Sequence, residues 1–325
     1  MVLQTNKSVS IKSLGLCDAY GRSLNNLRIS VTQRCNLNCF FCHKEGEDVF
    51  GQELTPTEIT DIVKMACKLG MKKVKITGGE PLLREDIVEI VSSIAQHADE
   101  VSLTTNGFLL EEKAEALRSA GLQRVNVSLH AMNSDTFKEI TGGTGLQQVE
   151  KGIAAALENH LEPVKVNMVV LKGINDHEVH QMIDFTTHLG AILQLIEFQP
   201  VQNDNWNPWN RFHSDLSAIE RWLKENSFKI QERAMHRRKK YYLKSNDGVA
   251  CVEVVKPMHN SEFCHSCTRL RVTSDGKLKP CLLRNGNLVD AVVNVRGRKD
   301  LKGLEKAFRR VVTLREPYWK DTEAK

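Results

Sequence analysis

From residue 27 to about residue 198 the chain alternates two patterns: short runs in which apolar and polar residues take turns, and longer segments in which apolar residues recur every three or four positions. The first short run is Leu27-Arg28-Ile29-Ser30-Val31-Thr32. Thr55-Pro56-Thr57-Glu58 then reads as a capping box with proline at the first helical position, ahead of Ile59, Ile62, Val63, Ala66 and Leu69 at helical spacing. Further strands are predicted over 72–77, 100–105, 124–129, 164–170 and 192–197. Helices are predicted around Ile87, Ile90, Val91 and Ile94, over about 111–119, 134–140 and 146–159, and around Val179, Met182, Ile183 and Thr186, the last capped by 175–178. Six strands separated by helices imply an α/β fold with a parallel sheet and right-handed crossovers. Such a sheet is a barrel or an open one, and either collects ligands at the carboxyl ends of its strands. The cysteine loop at 35–42, Gly78-Gly79-Glu80-Pro81, Thr104-Thr105-Asn106-Gly107 and Ser128-Leu129-His130 all fall at such ends, so one crevice is expected to gather them.

The pattern changes after Gln199. A loop is expected over 203–210, a helix over 216–224, and a stretch rich in Arg and Lys over 233–244. A solvated edge strand whose charge blocks edge pairing explains that stretch better than a nucleic-acid patch does. Three regions result: an arm over 1–26 with no evident chemistry, the alternating region 27–200, and a C-terminal region 201–325.

At 325 residues, with 41% hydrophobic and 26% charged residues, the composition is that of an ordinary globular enzyme. The formal charge of +5 is mild, demands no nucleic acid and suits a small polyanionic substrate. No apolar run approaches the ~18–20 residues that span a bilayer, and residues 1–7 lack a signal peptide's apolar stretch, so the expectation is a cytoplasmic protein without membrane contact. There are nine cysteines, six of them in two tight groups, which points to metal ligation in a reducing compartment.

Cys35, Cys39 and Cys42 form a C-x3-C-x2-C group on the loop after the first strand. Iron–sulfur clusters and structural zinc ordinarily take four protein ligands, so three thiolates leave one position open for a small molecule. A zinc site completed by His43 or by a distant residue is the alternative. Cys264, Cys267 and Cys281 form the second group, C-x2-C-x13-C. His259 or His265 could complete a zinc site there, and a second three-cysteine cluster is the other reading. Arg269 and Arg271, spaced to one side of a strand, suit a phosphate or a planar heterocycle beside a metal. Cys17, Cys67 and Cys251 are isolated and read as buried or inert thiols.

C-x3-C-x2-C after one strand and Gly-Gly-Glu-Pro after the next resemble the radical S-adenosylmethionine enzymes. Together with the 27–32 run and C-x2-C-x-R-x-R with a later Cys, they resemble the GTP 3′,8-cyclase family of molybdenum cofactor biosynthesis, from about Leu27 to Cys281. The resemblance implies an incomplete six-stranded (β/α) barrel of TIM type, with a C-terminal extension carrying a second Fe–S cluster. It implies two 4Fe–4S clusters, on Cys35, Cys39 and Cys42 and on Cys264, Cys267 and Cys281, the second binding guanine. S-adenosyl-L-methionine would meet Phe41, Gly79, Ser128 and Gln199, and GTP would meet Arg28, Lys75, Thr104, Lys165, Arg269, Leu270 and Arg271. The implied reaction removes hydrogen from C3′ of GTP, joins C3′ to C8, and quenches the product radical with help from Arg269 and Arg271. Implied partners are GTP, a flavodoxin- or ferredoxin-like reductant, cyclic pyranopterin monophosphate synthase downstream, and a second copy in a homodimer.

The chain departs from the family pattern at four places. Phe41 stands for Tyr, Gln199 for Met, Gln194 for Arg, and the chain ends 319–325 without the Gly-Gly of many bacterial members. Two rival readings are a two-cluster radical enzyme acting on a peptide and a zinc- and nucleic-acid-binding module built on 233–244.

Overall fold

The structure, a computed structural model, describes residues 15–47, 51–200, 209–297 and 299–320. The expected loop at 203–210 and the extreme C-terminus lie largely outside them. The alternating region forms β1 (Asn26–Ser30), α1 (Pro56–Lys68), β2 (Lys73–Thr77), α2 (Ile87–Ala95), β3 (Glu100–Thr105), α3 (Leu110–Ser119), β4 (Arg124–Ser128), α4 (Ser134–Thr141), α5 (Leu146–Glu158), β5 (Lys165–Val170), α6 (Val179–His188) and β6 (Ile192–Glu197). The rest adds α7 (Trp209–Phe212), α8 (Ser217–Asn226), β7 (Ser227–Glu232), β8 (Lys239–Ser245), β9 (Gly248–Val255), α9 (Ser261–His265), β10 (Arg269–Val272), β11 (Lys277–Lys279), β12 (Val289–Asp290) and α10 (Leu301–Thr313).

All twelve strands belong to one sheet, in the order β12-β11-β10-β1-β2-β3-β4-β5-β6-β9-β8-β7. The six expected parallel strands are consecutive, and β10 and β9 extend them in parallel at the two flanks, against β1 and β6. The C-terminal region therefore completes the same sheet as the alternating region.

Alternation along the strands creates the working interior. Leu27, Ile29, Val74, Ile76, Val101, Leu103, Val125, Val127, Val166 and Met168 are at most 1% exposed and form the apolar core with residues such as Ile59, Ile62, Ile90 and Ile94 of the helices. The intervening residues Arg28, Thr104, Asn126, Ser128, Asn167 and Gln194 line a cavity instead. Successive side chains on a strand point to opposite faces, so one apolar set packs outward and one polar set is left inside.

Three expectations need correction. Residues 175–178 do lead into α6, with Asn175 at the N-cap position of the 3₁₀ turn Asp176–Glu178, but the Asn175 side chain makes no capping bond: it accepts from Leu171 N–H at 2.7 Å and donates to the carbonyls of His130 at 2.7 Å and Val169 at 2.8 Å, stapling the loop after β5. The basic stretch 233–244 is no edge strand, because β8 lies between β9 and the true edge β7. Cys17 is exposed. The capping box at Thr55 and Glu58 forms as expected.

Candidate functional site

A cavity of about 370 Å³ is lined by all six clustered cysteines. The two groups lie at opposite ends of β1. Cys35 follows the carboxyl end of that strand, whereas the carbonyl of Thr268, the residue after Cys267, accepts from the N–H groups of Asn25 and Asn26 at its amino end, both at 3.2 Å. Five residues of strand, about 16 Å at ~3.3 Å each, separate the two levels.

The first group is positioned by backbone. Gly79 N–H donates to the carbonyl of Thr32 at 2.7 Å, and Glu80 N–H to that of Arg34 at 2.7 Å. A Cβ on Gly79 would collide with the carbonyl oxygens of Arg34 and Gln33, so only glycine lets the turn after β2 lie flat on the chain leading to Cys35. Glu80 is fully buried, and its carboxylate accepts from Leu82 N–H at 3.0 Å, Thr105 Oγ1 at 2.7 Å and Asn106 N–H at 2.6 Å. Asn106 in turn donates to Asn36 at 2.7 Å and approaches Cys35 Sγ at 3.9 Å. Leu37 N–H and Lys44 N–H point at the sulfurs of Cys35 and Cys42, each at 3.4 Å. Burial, reinforced by Cys42 and Cys35, pushes the Cys39 thiol up to about 12.

The second group is held by the amino-terminal arm, for which the sequence suggested no role. Asp18 is 7% exposed and pairs with both Arg22 and Arg315. Arg22 donates to the carbonyl of Cys264 at 3.0 Å, and Arg315 to that of Cys267. Trp319 N–H approaches Cys264 Sγ at 3.4 Å. Burial would raise the Cys267 thiol, but Arg269 and Arg315 outweigh it and bring it below its usual value, which favours the thiolate that a metal requires.

All nine cysteines are free thiols, and among the described residues no three metal-ligating side chains stand close enough to be preformed around a single ion. Two open-sided sets of three sulfurs, with N–H groups directed at Cys35, Cys42 and Cys264, have the chemistry of iron–sulfur ligation.

Between the two groups the wall is cationic. Arg28 and Arg271 share Glu45, with Arg28 at 3.5 Å. Burial pushes Glu45 up, but Arg271 and Arg28 outweigh it and bring it down to about 2. Glu253 is fully buried and holds Lys165 at 2.6 Å, Arg233 at 3.0 Å and Arg238 at 3.7 Å, while Gln194 donates to it at 2.7 Å. Among the described residues Lys75 and Arg269 have no carboxylate within ion-pair distance. Lys75 donates to Asn126 at 2.6 Å, and burial together with Arg124, Arg28, Lys165 and Arg269 holds it well below its ordinary value. Five basic side chains thus share the two carboxylates of Glu45 and Glu253.

Of the residues singled out from the sequence, Arg28, Phe41, Gly79, Thr104, Ser128, Gln199, Arg269 and Arg271 line the cavity with the six cysteines. Lys75 and Lys165 stand behind its lining, against Asn126 and Glu253, and Leu270 is fully buried with its side chain in the core. Sequence reading missed Glu45, Glu253, His236 and Arg238. The proximity of Glu45 to Cys42 was the one available signal; Glu253 meets Lys165 across 88 positions.

Two family models match the chain: the Radical SAM superfamily over residues 29–186 and Molybdenum Cofactor Synthesis C over residues 191–321. A Thermococcus kodakarensis protein named "Probable GTP 3′,8-cyclase" is 48% identical over 307 residues, covering 94% of this chain and 100% of that protein. A Methanosarcina acetivorans protein of the same name is 48% identical over 314 residues, covering 94% and 90%. Among solved structures, Streptococcus suis SuiB bound to S-adenosylmethionine aligns with TM-score 0.60 at 17% identity, covering 88% of this chain and 66% of that one. SuiB bound to its precursor peptide aligns with TM-score 0.63. At such identity the likeness concerns the fold.

Proposed function

Because this chain belongs to the GTP 3′,8-cyclase family of radical S-adenosylmethionine enzymes, we propose that it converts GTP to (8S)-3′,8-cyclo-7,8-dihydroguanosine 5′-triphosphate, the first step of molybdenum cofactor biosynthesis. The observation that carries this reading is one cavity with a cysteine triad at each end and an excess of positive charge between them. The cavity lining carries Arg22, Arg28, Arg238, Arg269 and Arg271 against Glu45, Glu197 and Glu316, and this excess of basic over acidic side chains suits the polyanionic tail of a triphosphate.

In this reading Cys35, Cys39 and Cys42 hold the cluster that, with S-adenosyl-L-methionine bound, supplies a 5′-deoxyadenosyl radical. The chain's own residues bind, orient and shield. Phe41, Gly79, Ser128 and Gln199 form the cofactor end of the cavity. Arg28, Thr104, Arg269 and Arg271 face the nucleotide, while Lys75, Lys165 and the backbone of Leu270 back that wall. Cys264, Cys267 and Cys281 hold the second cluster at the far end. Fixing C3′ and C8 of one nucleotide in one enclosed site favours closure within it. Arg269 and Arg271 assist when the product radical is quenched by one electron from the reductant and one proton. The region 27–200 supplies the radical-generating half and 201–325 the second cluster and much of the substrate wall. No described helix is long and apolar enough to cross a membrane. Nine cysteines without a disulfide support a reducing, cytoplasmic setting; a flavodoxin- or ferredoxin-like donor, handover to cyclic pyranopterin monophosphate synthase and a homodimer complete the proposal.

Anaerobically purified protein is expected to be brown with about eight irons and, once reduced by added dithionite, to release 5′-deoxyadenosine from S-adenosylmethionine only when GTP is supplied. A colourless protein carrying only zinc contradicts the reading.

A further inference from the structure

The basic stretch 233–244 was expected to face solvent, yet its middle turns inward. His236 is 3% exposed and lines the cavity together with Arg238. His236 and Arg237 both have left-handed backbone, with φ of 61° and 50°. Two successive non-glycine residues in that region are uncommon, and such strain persists chiefly where function requires a side chain to be aimed. The imidazole lies flat on Phe263, with ring centroids 3.8 Å apart and planes 18° from parallel, and Phe263 also lines the cavity, one residue before Cys264. Nδ1 faces Arg269 Nη2 at 3.4 Å. A guanidinium can only donate, so Nδ1 accepts and the ring proton sits on Nε2. Burial, then Arg269 and Arg238, keep the ring neutral. Nε2 is buried and has no hydrogen-bond partner among the described residues. A buried donor without an acceptor is costly, and such a group is ordinarily paired.

We propose that His236 is a substrate-contacting residue whose Nε2–H donates a hydrogen bond to an acceptor atom on the purine base of the bound nucleotide. Arg28, Arg238, Arg269 and Arg271 already surround the position, and they answer a phosphate better than a neutral imidazole can. A single neutral donor beside a flat aromatic face fits a ring nitrogen or carbonyl oxygen of a planar heterocycle. The inference rests on the function proposed above and adds a base-recognising residue from a segment that the sequence reading had placed on the surface.

The test compares His236→Leu, which lacks the donor, with His236→Gln, which offers an amide N–H at a similar reach. Both are assayed as reconstituted holoenzyme, with iron content and visible absorbance measured first. Anaerobic equilibrium dialysis then gives the affinity for GTP and for inorganic tripolyphosphate. His236→Leu is expected to weaken GTP about tenfold, the loss of one hydrogen bond, to raise KM in step with a smaller change in kcat, and to leave tripolyphosphate affinity within about twofold. His236→Gln is expected to recover most of the GTP affinity. The proposal is overturned if His236→Leu binds GTP as the unmodified enzyme does, if GTP and tripolyphosphate weaken equally, if His236→Gln recovers nothing, or if both variants lose iron from the second group. GTP binding by the unmodified holoenzyme is the control; its failure sinks the cyclase reading itself rather than the role of His236.

Discussion

Arg28 on β1 and Arg271 on β10 are direct partners across two parallel strands, two like charges side by side, and both turn to the single carboxylate of Glu45. Like charges placed opposite each other destabilise a sheet. Here the repulsion is offset by a residue three positions beyond Cys42, so the loop of the first cysteine group also neutralises the wall that faces substrate.

Glu45→Gln should therefore lower the unfolding midpoint in urea, by an amount equivalent to about 3 kcal/mol, because the buried Arg271 and the half-buried Arg28 lose their shared counter-charge. Glu45 is held down to about 2, so its contribution is complete above the ordinary carboxylate value of 4.5 and is lost as pH falls towards 2; at neutral pH the whole effect is measured. The double variant Glu45→Gln, Arg271→Gln should regain part of the loss. A single variant as stable as the unmodified protein would show that the bridge contributes nothing.

Lys165 gives the account a pH dependence. Burial, only partly offset by Glu253, brings its ammonium down to about 8. It carries its charge below that pH and loses it above, so attraction for a triphosphate weakens as the pH rises. The kcat/KM for GTP should fall through about pH 8, as a property of the free enzyme. Lys165→Arg, which cannot deprotonate in this range, should flatten that limb whatever its absolute rate. An unchanged profile in that variant would assign the limb to another group.

Much of the fold is legible in the sequence because the outward-facing strand residues and the helix faces that cover them are apolar at regular spacing. Leu27, Ile29, Val74 and Ile76 announce β1 and β2, and Thr55 with Glu58 announces the start of α1. The cysteine spacing likewise marks the two ends of the cavity. What the sequence hides depends on long-range contact or on backbone conformation. The left-handed turn at His236 leaves no mark among the charges around it, so a residue of the cavity wall reads as surface. Asn175 looks like a helix cap, and it became a loop staple because the backbone groups of Leu171, His130 and Val169 needed partners.

Gly79→Ala separates a packing role from a purely chemical one. The added methyl would strike the carbonyl oxygens of Arg34 and Gln33, moving the chain that leads to Cys35 while leaving the second cysteine group untouched. Iron analysis should show about four irons lost and about four retained. Equal loss from both groups would mean that the turn supports the whole molecule.

The cyclase reading is tested most directly by isotope transfer. With GTP deuterated at C3′, anaerobic turnover of the holoenzyme with S-adenosylmethionine and a reductant such as dithionite should yield 5′-deoxyadenosine carrying the deuterium, alongside a cyclised nucleotide that has lost it. Release of 5′-deoxyadenosine without the label, with GTP recovered intact, would contradict the proposed chemistry in this cavity.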